Sequence, residues 1–164
     1  MAQTNNSDEI LRESTRVNGI VALSTQANYD IPKWHNTVFN EYKPQGMSFE
    51  AILGLAQEET LLQFYGINNI NELNSTKTLQ DRADLDMLKL LSSDDPEFYV
   101  SNADTPYSLP VNTNQALHHP LHAKALIDKA EEVSAPYKVL IPQMEIDNTN
   151  GESMLNFILR KLKN

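Results

Sequence analysis

Cysteine is absent from this chain, which removes disulfides, thiolate metal centres and cysteine nucleophiles from the chemistry open to it. No apolar run approaches the roughly 18 residues of a membrane span, so no spanning helix is expected. Basic charge is scarce: 13 Lys and Arg stand against 22 Asp and Glu, a net charge of −9. A nucleic-acid surface needs clustered cations that release counterions from phosphate, and such a partner is not expected here. The small basic cluster of Arg160, Lys161 and Lys163 suits a helix C-terminus, where it complements the helix dipole. Neither G-x-G-x-x-G nor a P-loop occurs, so no nucleotide cofactor is implied. Residues 1–16 are polar and lack the apolar centre of a secretory signal.

What remains is a chain of 164 residues, 40% hydrophobic, the length of a single domain. Val17 to Ser24 is a short apolar run with the look of a buried parallel strand, and SDEILRESTR before it reads as a helix end or a loop. Residues 26–75 read as a lid-like helical insert: Pro32 breaks regular structure, Ser48 is placed to cap a helix over Phe49 to Gln57, and Gly66 ends another over Glu59 to Tyr65. From Thr76 to Leu91 the pattern predicts one amphipathic helix, with Leu79, Leu85, Leu88 and Leu91 buried and Asp81, Arg82 and Asp86 wet. Glu97 to Ser101 reads as a strand, Asn102 to Asn114 as a long polar loop, Pro120 to Val133 as a helix, Tyr137 to Ile141 as a strand. Glu152 to Lys163 closes the chain as a helix with Met154, Phe157, Ile158 and Leu162 as its buried stripe.

This order predicts an α/β fold, three layers α/β/α, built on about three parallel strands with right-handed crossovers. Three strands make a poor sheet alone. The first strand would expose an apolar edge, so the expectation is that a missing amino-terminal half or a homo-oligomeric partner covers it.

Three stretches, SDEILRESTRVNGIVALSTQANYD, LLSSDDPEFYVSNADTPYS and HHPLHAKALIDKAEEVSAPYKVLIP, resemble successive parts of bacterial α/β-hydrolase proteins of the esterase and lipase type. In that family a serine in a G-x-S-x-G elbow is followed by an acid and then a histidine. The resemblance begins downstream of the elbow, with Met1-Ala2 similar to the tail of the helix after the serine. It implies a single domain, 1–164, that is the carboxyl-terminal portion of a partial α/β-hydrolase fold. It also implies a parent acting on a small ester, and a fragment that is itself inactive toward esters. Asp104 occupies the place of the triad acid, against the plainer reading of a turn residue beside Pro106. No histidine follows Ile141, where the family carries one. The other reading is a non-catalytic hydrolase-fold module for binding or assembly.

Other constellations are weaker. His118, His119 and His122 cluster at a helix start; His118 and His122 have a spacing that could pair imidazoles, but no third metal ligand is evident, so no metal is expected and they read as surface histidines. A displaced catalytic base among them would require the helix to start at the crest of the sheet. Ser48, in Gly46-Met47-Ser48-Phe49-Glu50, fails the elbow pattern and reads as a cap. Trp34, His35, Phe39 and Tyr42 could line an acyl pocket, but packing of the lid is the favoured reading. Glu145 and Asp147 could replace a base, but a solvated acidic loop is the simpler expectation.

Overall fold

The computed structural model describes residues 17–163; the readings made on SDEILRESTR and on Met1-Ala2 lie outside them. The described chain is α/β, as expected. Strand β1 (Ile20–Leu23) leads into a helical segment that contains α1 (Trp34–Thr37), α2 (Phe49–Ala56), α3 (Glu58–Tyr65), α4 (Thr76–Asp84) and α5 (Met87–Leu90). Strand β2 (Phe98–Ser101) follows, then α6 (Thr113–Leu117), α7 (Pro120–Val133), β3 (Tyr137–Ile141), β4 (Ile146–Asp147) and α8 (Met154–Leu162).

The sheet order is β1-β2-β3-β4, with the first two pairings parallel. Strand β4 is an addition to the expected three: it pairs antiparallel with β3, Ile141 opposite Ile146. Its two residues are too few to give a periodic signal. The reversal is made by a 3-10 turn at Pro142–Met144 and by Glu145 at φ 56°.

Side chains alternate across a strand, and here each face has its own helix. Phe98, Val100, Val139 and Ile141 pack with Ala123, Ile127 and Ala130 of α7. On the other face the Tyr99 ring lies 5.7 Å from that of Phe157 on α8. The sheet is therefore sandwiched between helices. Pro120 opens α7, since its missing N–H is no loss in a first turn.

Two amphipathic predictions need correction. Residues 76–91 do not form one helix: α4 stops at Asp84, and Asp86 then caps the short α5 through the amide of Lys89. Arg82, expected in water, is only 5% exposed, whereas Leu79 and Leu85 are exposed. The cause is a buried ion pair. Arg82 Nη2 and Nε both lie 2.7 Å from Asp30 Oδ1, and Nη1 donates to the Leu73 carbonyl. Lys33 Nζ sits 2.7 Å from the other Asp30 oxygen. Only a tertiary partner more than fifty residues away explains that inversion. In α8, Phe157 is buried as expected, but Leu162 is exposed together with Leu155 and Leu159.

The insert between β1 and β2 has its own core, in which Trp34, Phe39, Ile52, Leu61 and Leu73 are almost fully buried. Ser48 caps α2, its hydroxyl accepting from the Ala51 amide at 3.2 Å. Tyr65 fastens α3 to the chain leaving β1: its hydroxyl donates to the Tyr29 carbonyl at 2.6 Å and accepts from the Ile31 amide.

Breaking a buried pair strands a charge, which costs about 3–5 kcal/mol. Arg82→Met leaves Asp30 with only the more exposed Lys33 and is expected to destabilise the chain by up to that order in urea unfolding; a loss below about 1 kcal/mol would contradict the role given to this pair.

Candidate functional site at the crest of the sheet

Ligands in open α/β sheets bind beyond the carboxyl ends of the parallel strands. In this chain that crest is where β1 and β2 end, at Leu23 and Ser101. Asn102 follows β2 directly and is fully buried. Its side chain continues the pairing where the backbones part: Oδ1 accepts from the Thr25 amide and Nδ2 donates to the Thr25 carbonyl, both at 2.9 Å. Nδ2 also donates to the His119 carbonyl at 3.0 Å. One amide thus ties the exits of β1 and β2 to the start of α7.

Between β1 and that clamp stands Ser24, with φ 46°. A left-handed serine costs about 1–2 kcal/mol and persists where its surroundings over-determine it. All its polar groups are engaged. Its amide donates to the Ser101 carbonyl at 2.8 Å, its hydroxyl donates to Asp104 Oδ2 at 2.8 Å, and its carbonyl lies 2.6 Å from His118 Nδ1.

Asp104 is thus on the crest, exposed, with the Ser24 hydroxyl as its partner. The loop that carries it is pinned from β3's side, because Gln143 Nε2 donates to the carbonyls of Ala103 and Thr105. Thr105 in turn donates its hydroxyl to the His118 carbonyl at 2.5 Å.

The reading of all three histidines as surface groups is corrected: His119 and His122 have no exposed surface, and His118 is half-buried. The two buried rings are held in the same way, each between a backbone amide and a backbone carbonyl. His122 Nδ1 accepts from the Ala27 amide, which leaves its Nε2–H to donate to the Ala116 carbonyl. His119 Nδ1 accepts from the Leu121 amide, and its Nε2–H donates to the Ser108 carbonyl. Both are therefore neutral imidazoles, fixed in one tautomer by backbone groups. Trp34 lies edge-on to His122, with centroids 4.6 Å apart, and Phe39 and Tyr42 lie edge-on to His119. These rings form the joint between the helical insert and the sheet.

Burial pushes the His122 imidazole down to about 3, and the same cause lowers His119. Among the described residues no cluster of His, Cys, Asp and Glu could hold a metal ion.

The lid aromatics pack, as favoured: Trp34, Phe39 and Tyr42 are buried. Near them is an apolar cavity of about 50 Å³, bordered by Ile31, Trp34, Ile52, Leu61 and Ala116. It has room for little more than a methyl or two. Glu145 serves the left-handed turn before β4. Asp147, the last residue of β4, accepts from the Thr149 hydroxyl and amide, bonds that lower its pKa and hold the turn after the strand.

Ser24, Asn102 and Gln143 were not singled out from the sequence. A polar residue directly after an apolar strand was the available signal for the first two. Nothing local marks Gln143, whose partners are about forty residues away.

The chain matches no family model, no curated protein and no solved structure.

The histidine shifts set the pH dependence of folding. His122 stays neutral when folded down to about pH 3, whereas the unfolded chain takes up a proton near 6.5. The unfolded state binds more protons in between, so stability is full above 6.5 and falls as pH falls, by at most about 1.4 kcal/mol per pH unit for this group. Urea midpoints from pH 7.5 to 5 should therefore decline. His122→Phe should lower stability at pH 7.5 and flatten that decline; an unchanged slope would contradict the assignment.

Proposed function

We propose that this chain is the acid-bearing, carboxyl-terminal part of an α/β-hydrolase-like protein whose parent is a carboxylic-ester hydrolase of the esterase or lipase type. The observation that carries the reading is the position of Asp104, in the loop after a parallel strand and at the crest of the sheet, with a helical lid inserted between the two strands that border it. Active sites of such sheets use that edge, and a cap over it excludes water from an acyl pocket.

The state of the sheet supports a larger parent. All four residues of β2 are buried, as in an interior strand. Strand β1 has the same apolar character, yet Ile20 and Leu23 are 43% and 51% exposed. An edge strand that is apolar on both faces is an aggregation hazard. Further strands beyond β1 would resolve it.

In the complete site, a serine would attack the ester carbonyl, an imidazole would carry its proton, and backbone amides would stabilise the oxyanion. Ser24 does not fill the nucleophile's role here: its hydroxyl hydrogen is committed to Asp104, not to an imidazole. This chain contributes the acid and the lid.

A second reading, a hydrolase-fold module for binding or assembly, is favoured by one observation: Leu155, Leu159 and Leu162 form an exposed stripe on α8, which crosses Gly19 beside β1 through Lys161. Such a surface suits protein contact without any chemistry.

The purified chain is expected to show no turnover of an alkyl ester such as tributyrin; turnover that vanishes in Asp104→Ala would contradict the assignment of an incomplete site. The parent is tested by translating the genomic DNA upstream of the Met1 codon. A frame with a strand, G-x-S-x-G and a helix supports the hydrolase. An in-frame stop there removes hydrolysis from this chain and leaves the binding module.

A further inference from the structure

The hydrolase reading lacks an imidazole, because no histidine follows Ile141. The geometry points to His118 as that group: we propose that its Nε2 is the general base of the crest, supplied from the connection after β2 instead of from the loop after β3. The proposal rests on the ester-hydrolase reading and names one of its residues.

Its first support is hydrogen-bond direction. A carbonyl only accepts, so the 2.6 Å contact between His118 Nδ1 and the Ser24 carbonyl requires the proton to be on Nδ1. The neutral ring then carries its lone pair on Nε2. That nitrogen makes no hydrogen bond among the described residues and is not enclosed. His119 and His122 differ, since both of their nitrogens are used by backbone groups and both rings are buried. Of the clustered histidines, one is left able to accept a proton.

Position is the second support. His118 is the residue that ends α6, one before the buried His119 whose carbonyl Asn102 holds. Its own carbonyl receives the Thr105 hydroxyl, next to Asp104. Ser24 joins the two chemically active groups, giving its hydroxyl to Asp104 and its carbonyl to His118. This gives the left-handed backbone at Ser24 a purpose: it is a positioning residue, presenting opposite polar groups to an acid and an imidazole. Asp104 is then linked to the ring through Ser24, without a direct bond to Nδ1.

The step balances within the proposed reaction. As the oxygen of a serine hydroxyl from the rest of the parent adds to the ester carbonyl, its proton passes to Nε2 and the ring becomes an imidazolium. The same proton is delivered to the departing alkoxide as the ester C–O bond breaks, which returns the ring to its neutral form.

His35 provides an internal control. Its Nδ1 also lies against a carbonyl, that of Pro32 at 2.9 Å, but the ring belongs to the lid and stacks edge-on with Phe49. The test uses the whole chain and two readouts. Long-range nitrogen–proton NMR on chain labelled at histidine should show His118 at pH 8 as the Nδ1–H tautomer with Nε2 bare. Diethyl pyrocarbonate, which a bare imidazole nitrogen attacks, should carbethoxylate His118 about tenfold faster than His35, with His119 and His122 slower than either. Asp104→Asn should bring the His118 rate down to that of His35. Ser24→Gly, which keeps the carbonyl and suits the positive φ but removes the hydroxyl bridge, should do the same, and an unmoved rate would overturn the positioning role of Ser24. His35, which is bonded to neither Ser24 nor Asp104, should keep its rate in both variants.

An Nε2–H tautomer, a His118 rate no greater than that of His35, or a rate unmoved in Asp104→Asn would each overturn the proposal. That failure is distinguishable from failure of the hydrolase reading, which is decided by the upstream frame and not by the chemistry of this ring.

Discussion

Parallel strands diverge where their backbone ladder ends, and something must hold the crest together if a site is to be built there. In this chain the Asn102 amide does so. Its oxygen and nitrogen pair with the amide and carbonyl of Thr25, and its second N–H reaches the His119 carbonyl. Buried amide groups are costly unless satisfied, so this residue has one arrangement available, and that arrangement sets the separation of β1, β2 and α7. Ser24 lies on one side of the clamp and Asp104 follows two residues after it. His118 precedes the carbonyl it holds. The positions of the chemically interesting groups are consequences of a group that does no chemistry.

The helical insert between β1 and β2 is joined to this frame by a second set of buried polar contacts. Asn28 Oδ1 accepts from Trp34 Nε1 and from the Asp30 amide, Asp30 pairs with Arg82, and Tyr65 bridges Tyr29 and Ile31. The first two bonds fold the chain leaving β1 on itself, and the others gather it against helices more than thirty residues onward. The neutral rings of His119 and His122 sit between lid aromatics and the start of α7, satisfied by backbone groups on both nitrogens. Apolar burial gives the insert its bulk, and these directional contacts fix how it sits on the sheet.

Where a signal is local, the sequence was readable. The three parallel strands, the cap at Ser48 and Pro120 at the head of α7 each follow from a few neighbouring residues, and all are present. Where the partner is distant, it was not. Arg82 reads as the wet face of a helix until Asp30 is placed beside it. Three histidines near a helix start read as solvent-exposed, because nothing in their spacing announces that Trp34 and Phe39 will close over two of them. The crest was half legible: Asp104 follows from strand and turn, whereas the left-handed Ser24 and the clamp at Asn102 are tertiary facts. The exposed leucines of α8 expose the same weakness from the other side, since periodicity finds an apolar face but not whether anything lies against it.

The most direct test of this account is hydrogen exchange at the Thr25 amide. If Asn102 clamps the crest, that amide, although outside any strand, should exchange as slowly as the neighbouring strand amides and open only with them. Exchange at the rate of an exposed loop would mean that the clamp does not hold in solution, and the arrangement of Ser24, Asp104 and His118 would lose its foundation.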